Sequence, residues 1–255
     1  MYSYNTRVRY SEIAEDKCAS IVAIVNYFQD CCTFEAEDGG IGLSWLAERN
    51  TAWMLTGWQI HILRRPRYTE EIKVTTWACA FKFFVGKRSF TITNMDGEVL
   101  VYAMSEWAYV NTVRNLPEKN VPDRELEVYG ITTSIEERFE DFGLEAYVKA
   151  NDEKAVFKGK IQAPDIADMK EEAPIIITAD NLDTNHHVNN GQYVALAKSV
   201  IPEEIDVKHF RAEIKRQSVL GDTIIPYIYR ESDKIVVILN DEEGNLKLIT
   251  EFYLS

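Results

Sequence analysis

One order of text is written twice along this chain: an apolar helical run, then a series of segments rich in β-branched and aromatic residues. The first run, "DKCASIVAIVNYFQDCC" (16 to 32), places Ile21, Val22, Ile24, Val25 and Phe28 at the spacing of a well-buried helix. Strand text follows in "TAWMLTGWQIHILRR", "EIKVTTWACA", "FVGKRSFTIT" and "EVLVYAMSEWAYV", with "NMDGE" as a hairpin signal. The second run, "NNGQYVALAKSVI" (189 to 201), is followed by "DVKHFRAEIKR", "DTIIPYIYR", "KIVVILN" and "NLKLITEFYL", with "DEEGN" closing the last hairpin. A chain of this pattern folds into two helix-plus-antiparallel-sheet bodies of the α+β class.

The duplication can be checked against the sequence itself. With the halves shifted by about 150 positions, "QIHILRRPRYTEEIKV" lies over "FRAEIKRQSVLGDTII", so Ile62 faces Glu213, Arg64 faces Lys215 and Arg65 faces Arg216. Between the copies, "NTVRNLPEKNVPDRELEVYG" has two prolines, many charges and little periodicity, as a crossing segment would. The expected division is a first domain over 1–127, a linker over 128–171 and a second domain over 172–255.

Composition narrows the function classes. With 255 residues and 46% hydrophobic side chains the chain can bury either one large core or two cores of about 100–130 residues. No apolar run approaches the ~18–20 residues that cross a bilayer, and "MYSYNTRVRY" has no signal-peptide stretch, so a cytoplasmic protein is expected. Cys18, Cys31, Cys32 and Cys79 form no CxxC pair, which points to reduced thiols rather than disulfides or zinc. A net charge of −13 argues against nucleic acid or an anionic membrane as partner. No P-loop and no GxGxxG is present, "GLSWL" (42 to 46) is only half a serine elbow, and no cofactor is expected.

The densest polar text is "NLDTNHHVNN" (181 to 190), immediately before the second helical run. Asp183 and Asn185 are good caps, and Asn189 and Asn190 suit a first helical turn. Asp183, Asn185 and His187 also stand two apart, so an extended approach would turn all three to one side. A metal site built from Asp183, His186, His187 and His209 matches no known ligand spacing.

"DNLDTNHHVNNGQYVALA" followed by "FRAEIKRQSVLGD" resembles the acyl-acyl carrier protein thioesterases, the Fat-type enzymes of plants and bacteria. "RVRYSEIAEDKCASIVAIVNYFQDCC", "WQIHILRRPRYTEEIKVTTW" and "SEWAYVNTVRNLP" extend the likeness through the first half. The resemblance implies a tandem hot-dog fold, each half a long helix wrapped by a curved antiparallel sheet, and, without a transit peptide, a bacterial member. Matched position by position, it implies catalytic roles for Asp183, Asn185, His187 and Glu213; His186 receives none. Several plant members carry cysteine directly after the glutamate, where this chain has Ile214, so a thiol nucleophile there is excluded.

Thioester hydrolysis needs an activated water more than a strong acid, because a thiolate is a stable leaving group. Glu213, desolvated beside an acyl pocket, is the expected base; Asn185 orients water or the carbonyl, the N–H groups near Val188 face the oxyanion, and His187 holds the arrangement or shuttles the proton. Trp45, Trp53, Leu55 and Trp58 of the first half are expected to shape the acyl tunnel. The implied partner is acyl carrier protein bearing an acyl-phosphopantetheine, docking on "RRPR" (64 to 67), on Lys82, Lys87 and Arg88, or on Lys215 and Arg216; a homodimer is a further expectation. Acyl-coenzyme A hydrolysis and a non-catalytic acyl-thioester sensor stand as alternatives.

Overall fold

The computed structural model describes residues 1–151, 159–201 and 205–254. In chain order the elements are β1 (Tyr2–Arg7), α1 (Ile21–Asp38), α2 (Leu43–Glu48), β2 (Thr51–Ile62), β3 (Glu71–Lys82), β4 (Val85–Asn94), β5 (Val99–Asn111), β6 (Leu116–Pro117), α3 (Asp123–Tyr129) and α4 (Glu145–Asn151). They continue with β7 (Lys170–Glu171), β8 (Ile175–Ile176), α5 (Asn190–Ser199), β9 (Val207–Ile214), β10 (Thr223–Arg230), β11 (Lys234–Asn240) and β12 (Leu246–Leu254). The chain divides into two compact units, Met1–Thr56 with Ile60–Phe157, and Gly57–Gln59 with Lys158–Ser255. No described helix is long and apolar enough to cross a membrane.

In the first unit the strand order is β1-β3-β4-β5-β2, with β6 beside β5. Helix α1 begins where Ser20 caps it, its side chain accepting from Ala23 N at 3.1 Å. Its buried stripe, Ile21, Ile24, Val25, Phe28 and Cys31, lies on the sheet, with Phe28 and Phe90 of β4 at 5.0 Å between ring centroids. Two charges are buried on this face: Arg88 of β4 pairs with Glu35 of α1 and donates to Thr76 Oγ1 at 3.2 Å.

The other face of the same sheet is covered as well. Trp77, Val99 and Tyr102 pack with Ile135 and Leu144, and Phe139, Phe142, Tyr147 and Val148 join them. Trp77 stacks on Phe142 at 5.5 Å and donates its indole N–H to Thr133 O at 2.9 Å, while Ile135 N donates to Ser89 Oγ at 3.1 Å. The second unit repeats the plan. Its order is β9-β12-β11-β10-β7, with β8 beside β10, and α5 buries Tyr193, Val194, Leu196 and Ala197. One sheet face carries Val236, Ile238 and Ile249 under Ile161 and Met169. Phe210 and Phe252, 5.0 Å apart, are paired on the opposite face.

The segment expected as a linker over 128–171 therefore ends up in two covers, Thr132–Val148 on the first sheet and Gly159–Met169 on the second. Its polar, proline-bearing text hid five apolar anchors, Ile135, Phe139, Phe142, Leu144 and Tyr147, spaced irregularly through turns rather than along one periodic element.

The duplication is visible in the turn before each long helix. Ile13 bridges Ala19 and Leu182 bridges Val188; Ala14 N donates to Cys18 O at 2.9 Å and Asp183 N to His187 O at 2.7 Å. Lys17 and His186 take the same left-handed conformation, φ 65° and 61°. In the strands, Leu63 N and Arg64 N both donate to Leu100 O, as Lys215 N and Arg216 N both donate to Lys247 O. This register sets His61, not Ile62, at the place of Glu213, one position from the sequence expectation.

Candidate active site

Residues Leu182–Val188 form a closed turn rather than an extended approach. Asp183 Oδ1 accepts from Asn185 N at 2.8 Å and from His187 N at 3.2 Å, and His186 N donates to Asp183 O at 3.1 Å. The two side-chain-to-backbone bonds bend the chain into an Asx-type turn, and His186 takes the left-handed position that completes it. Asp183 and Asn185 do not cap α5, which Asn189 caps; Asp183, Asn185 and His187 instead share one turn although they do not alternate along a strand. Asp183 and His187 are half-buried, whereas Asn185 and His186 are exposed.

The backbone N–H groups at the start of α5 are differently placed from the expectation. Val188 N donates to Ser218 O at 3.0 Å, Asn189 N to Asn181 O at 2.9 Å and Gly191 N to Asn189 Oδ1 at 2.8 Å. Val188 N is therefore already committed within the fold, whereas the Asn185 side chain is exposed.

Glu213 sits near the end of β9, paired in register with Ile249, on the face that Ile161 and Met169 cover. Its Oε1 accepts from Ile161 N at 2.6 Å and its Oε2 pairs with Lys215. Arg211, on the same face, reaches Glu251 at 2.9 Å and donates to Gly159 O at 2.8 Å, and Lys234 lies 3.4 Å from Glu251. Among the described residues no hydrogen bond or ion pair joins Glu213 to Asp183, Asn185 or His187. The structure brings three of the four expected residues together and holds the fourth on the neighbouring strand. What connects them is the loop after β9: Ser218 O holds Val188 N, and Arg216 O accepts from Tyr193 OH at 3.3 Å.

Sequence reasoning passed over Ile161, Arg211 and Ser218, and named Lys215 only as a docking cation; together these residues fix the second sheet's cover and the loop beside the turn. The one legible signal was the Arg211-Glu213-Lys215 alternation, which puts Arg211 and Glu213 on one face of β9 with Lys215 one position beyond its end. Of the four first-half residues named for the acyl tunnel, Leu55 and Trp58 are buried, Trp53 donates to Glu125 Oε2 at 2.8 Å, and Trp45 lies under the Arg49 guanidinium at 3.3 Å. No three His, Cys, Asp or Glu side chains gather at ligand distance among the described residues.

A capped helix laid on one face of an antiparallel sheet, twice in one chain, with a polar turn before the second helix, defines a tandem hot-dog protein. The same fold is found in the acyl-ACP thioesterase of Bacteroides thetaiotaomicron VPI-5482, with a TM-score of 0.82 and 18% identity over 99% of this chain and 97% of that one. The 12:0-ACP thioesterase of Umbellularia californica matches with a TM-score of 0.82 and 18% identity, over 100% and 96%. Residues 1–128 match the family described as the acyl-ACP thioesterase N-terminal domain, and the chain belongs to that family. An acyl-[acyl-carrier-protein] hydrolase of Cuphea viscosissima, named as chloroplastic, is 26% identical over 242 residues, 89% of this chain and 55% of the relative. The chain spans about half the length of the curated relatives it matches.

Proposed function

We propose that this protein hydrolyses the thioester of acyl-acyl carrier protein, releasing a fatty acid and the carrier's thiol. The family match of residues 1–128 carries this reading, and the Asp183-centred turn supplies its chemistry. Water adds to the thioester carbonyl, the C–S bond breaks, and the proton lost by water returns to the leaving sulfur. His187 is assigned that proton, since imidazole is the side chain suited to both accepting and releasing it near neutrality. Asn185 donates to the carbonyl oxygen as charge develops. Asp183 keeps both on one turn through the two N–H bonds to its Oδ1.

Glu213 belongs to the set as a positioning residue. With Ile161 N–H and Lys215 on its two oxygens, it fixes the strand end from which the loop bearing Arg216 and Ser218 departs. The first unit keeps the turn but has Ala14, Asp16 and Cys18 in it, so the acyl chain rather than the reaction is assigned to that unit, where Leu55 is buried and Trp53 half-buried.

The deciding test is an assay of the purified chain against acyl carrier protein and coenzyme A thioesters of graded acyl length. Preferential release of free fatty acid from the carrier-protein thioesters supports the reading. Turnover confined to coenzyme A thioesters moves the function to that substrate, and binding without turnover removes the enzymatic reading.

A further inference from the structure

The loop Lys215–Asp222 presents an unusual surface. Val219 and Leu220 are 44% and 62% exposed, and Ile176 of β8 is 64% exposed. The three are built together: Ile176 pairs with Thr223, and Gly221 N donates to Ile177 O at 2.9 Å. Lys215, which pairs with Glu213, and Arg216, both exposed, precede them in the same loop. The loop is held from several sides rather than left to wander. Ser218 is fully buried with its carbonyl on Val188 N, Arg216 O accepts from Tyr193 OH, Lys247 Nζ donates to Gln217 O at 3.3 Å, and Val219 N donates to Asp222 Oδ2 at 3.1 Å.

In the other basic clusters, four of the six cations are compensated within the fold. Arg64 makes two hydrogen bonds to Glu70, at 2.9 and 2.8 Å; Arg65 pairs with Asp16; Lys87 lies 3.5 Å from Glu106; and Arg88 is buried against Glu35. Arg216 stands differently: exposed, beside a fixed apolar patch, its carbonyl accepting from Tyr193 OH of α5, and two residues before Ser218, whose carbonyl holds Val188 N at the end of the turn that carries Asp183, Asn185 and His187.

We propose that Arg216, Val219, Leu220 and Ile176 form the docking surface for the acidic carrier protein that delivers the thioester. An apolar centre edged by the Arg216 cation fits a partner with the reverse edge, and attachment through the Val188–Ser218 bond sets that partner beside the reacting turn. A second copy of this chain, with net charge −13, brings the same overall sign rather than a complementary one.

This proposal rests on the carrier-protein reading, and one experiment separates the two. Steady-state kinetics of the full chain are measured with an acyl carrier protein thioester and with the corresponding acyl-pantetheine, for the native protein, Arg216→Glu, Leu220→Asp and the charge-reversal control Lys82→Glu in the first unit. The expected result is a fall of about ten-fold in the ratio of carrier-protein to acyl-pantetheine kcat/KM for each loop variant, through KM, with Lys82→Glu at the native ratio. Added salt should raise the carrier-protein KM of the native protein more than that of Arg216→Glu. A native protein inactive on carrier-protein thioesters overturns the functional reading itself. Native carrier-protein turnover with both loop variants at the native ratio, or with Lys82→Glu falling equally, overturns the docking surface alone.

Discussion

Asp183 commits one carboxylate oxygen to two backbone N–H groups, so its removal should affect shape as well as charge. Asp183→Ala is expected to lower kcat by roughly 10²–10³-fold, and Asp183→Asn, which keeps an acceptor at Oδ1, to recover part of that loss. Equal losses in both variants would tie the effect to charge rather than to the turn. Glu213 gives a second contrast. Glu213→Gln retains an acceptor for Ile161 N and should stay within about ten-fold of native kcat with an unchanged pH profile, while Glu213→Ala falls further. A folded Glu213→Gln protein down by roughly 10²–10⁴-fold, with its acid limb lost, would make Glu213 the base instead. At this scale the sequence showed the residue types of the site but not their partners. Ile161 and Glu213 are 52 positions apart, and only the folded sheet reveals their bond.

Elements were legible where a period marks them. Helices α1 and α5 and the long strands follow the spacing of their apolar residues, and their starts coincide with Ser20 and Asn189 as caps. The covers on the outer sheet faces were not legible, because turns and short 3-10 helices carry no period to read. Their apolar anchors nevertheless complete a core. Leu144 is 1% exposed among Trp77, Tyr102 and Ile135, so Leu144→Ala should destabilise the first unit by about 2–4 kcal/mol. Chemical denaturation followed by tryptophan fluorescence measures this, and a change below about 0.5 kcal/mol would mean that the segment lies on the sheet without supporting it. The register slip of one residue between Ile62 and His61 has a similar origin. Side chains on a strand change face at every step, and a repeat this diverged fixes the shift only approximately until the hydrogen bonds to Leu100 and Lys247 are seen.

For the whole molecule, under the proposed hydrolysis, the placement of cysteine favours direct attack by water. Burial pushes the Cys31 and Cys79 thiols above their ordinary value and Cys32 up to about 11, so these side chains remain protonated and weakly nucleophilic at neutral pH. All four cysteines lie in the first unit, away in sequence from the Asp183 turn, and Ile214 follows Glu213. A variant with Cys18, Cys31, Cys32 and Cys79 all changed to alanine should keep most of its turnover. Loss of activity in that variant while folded, together with labelled acyl group trapped on a cysteine in the native enzyme, would overturn the water mechanism.

The paired turns before α1 and α5 bear on how such a chain can change over generations. One bend is specified by two texts, "AEDKC" and "DTNHH", and in both a residue other than glycine, Lys17 or His186, occupies the left-handed position. Shape and chemistry are therefore inherited separately. In the first copy any substitution that spares the bend is open to drift, whereas in the second the same substitutions meet a further filter at Asp183, Asn185 and His187. Among descendants of one ancestor the first turn should accumulate varied side chains on a constant backbone, and the second should vary chiefly at position 186, where the residue is asked only to bend.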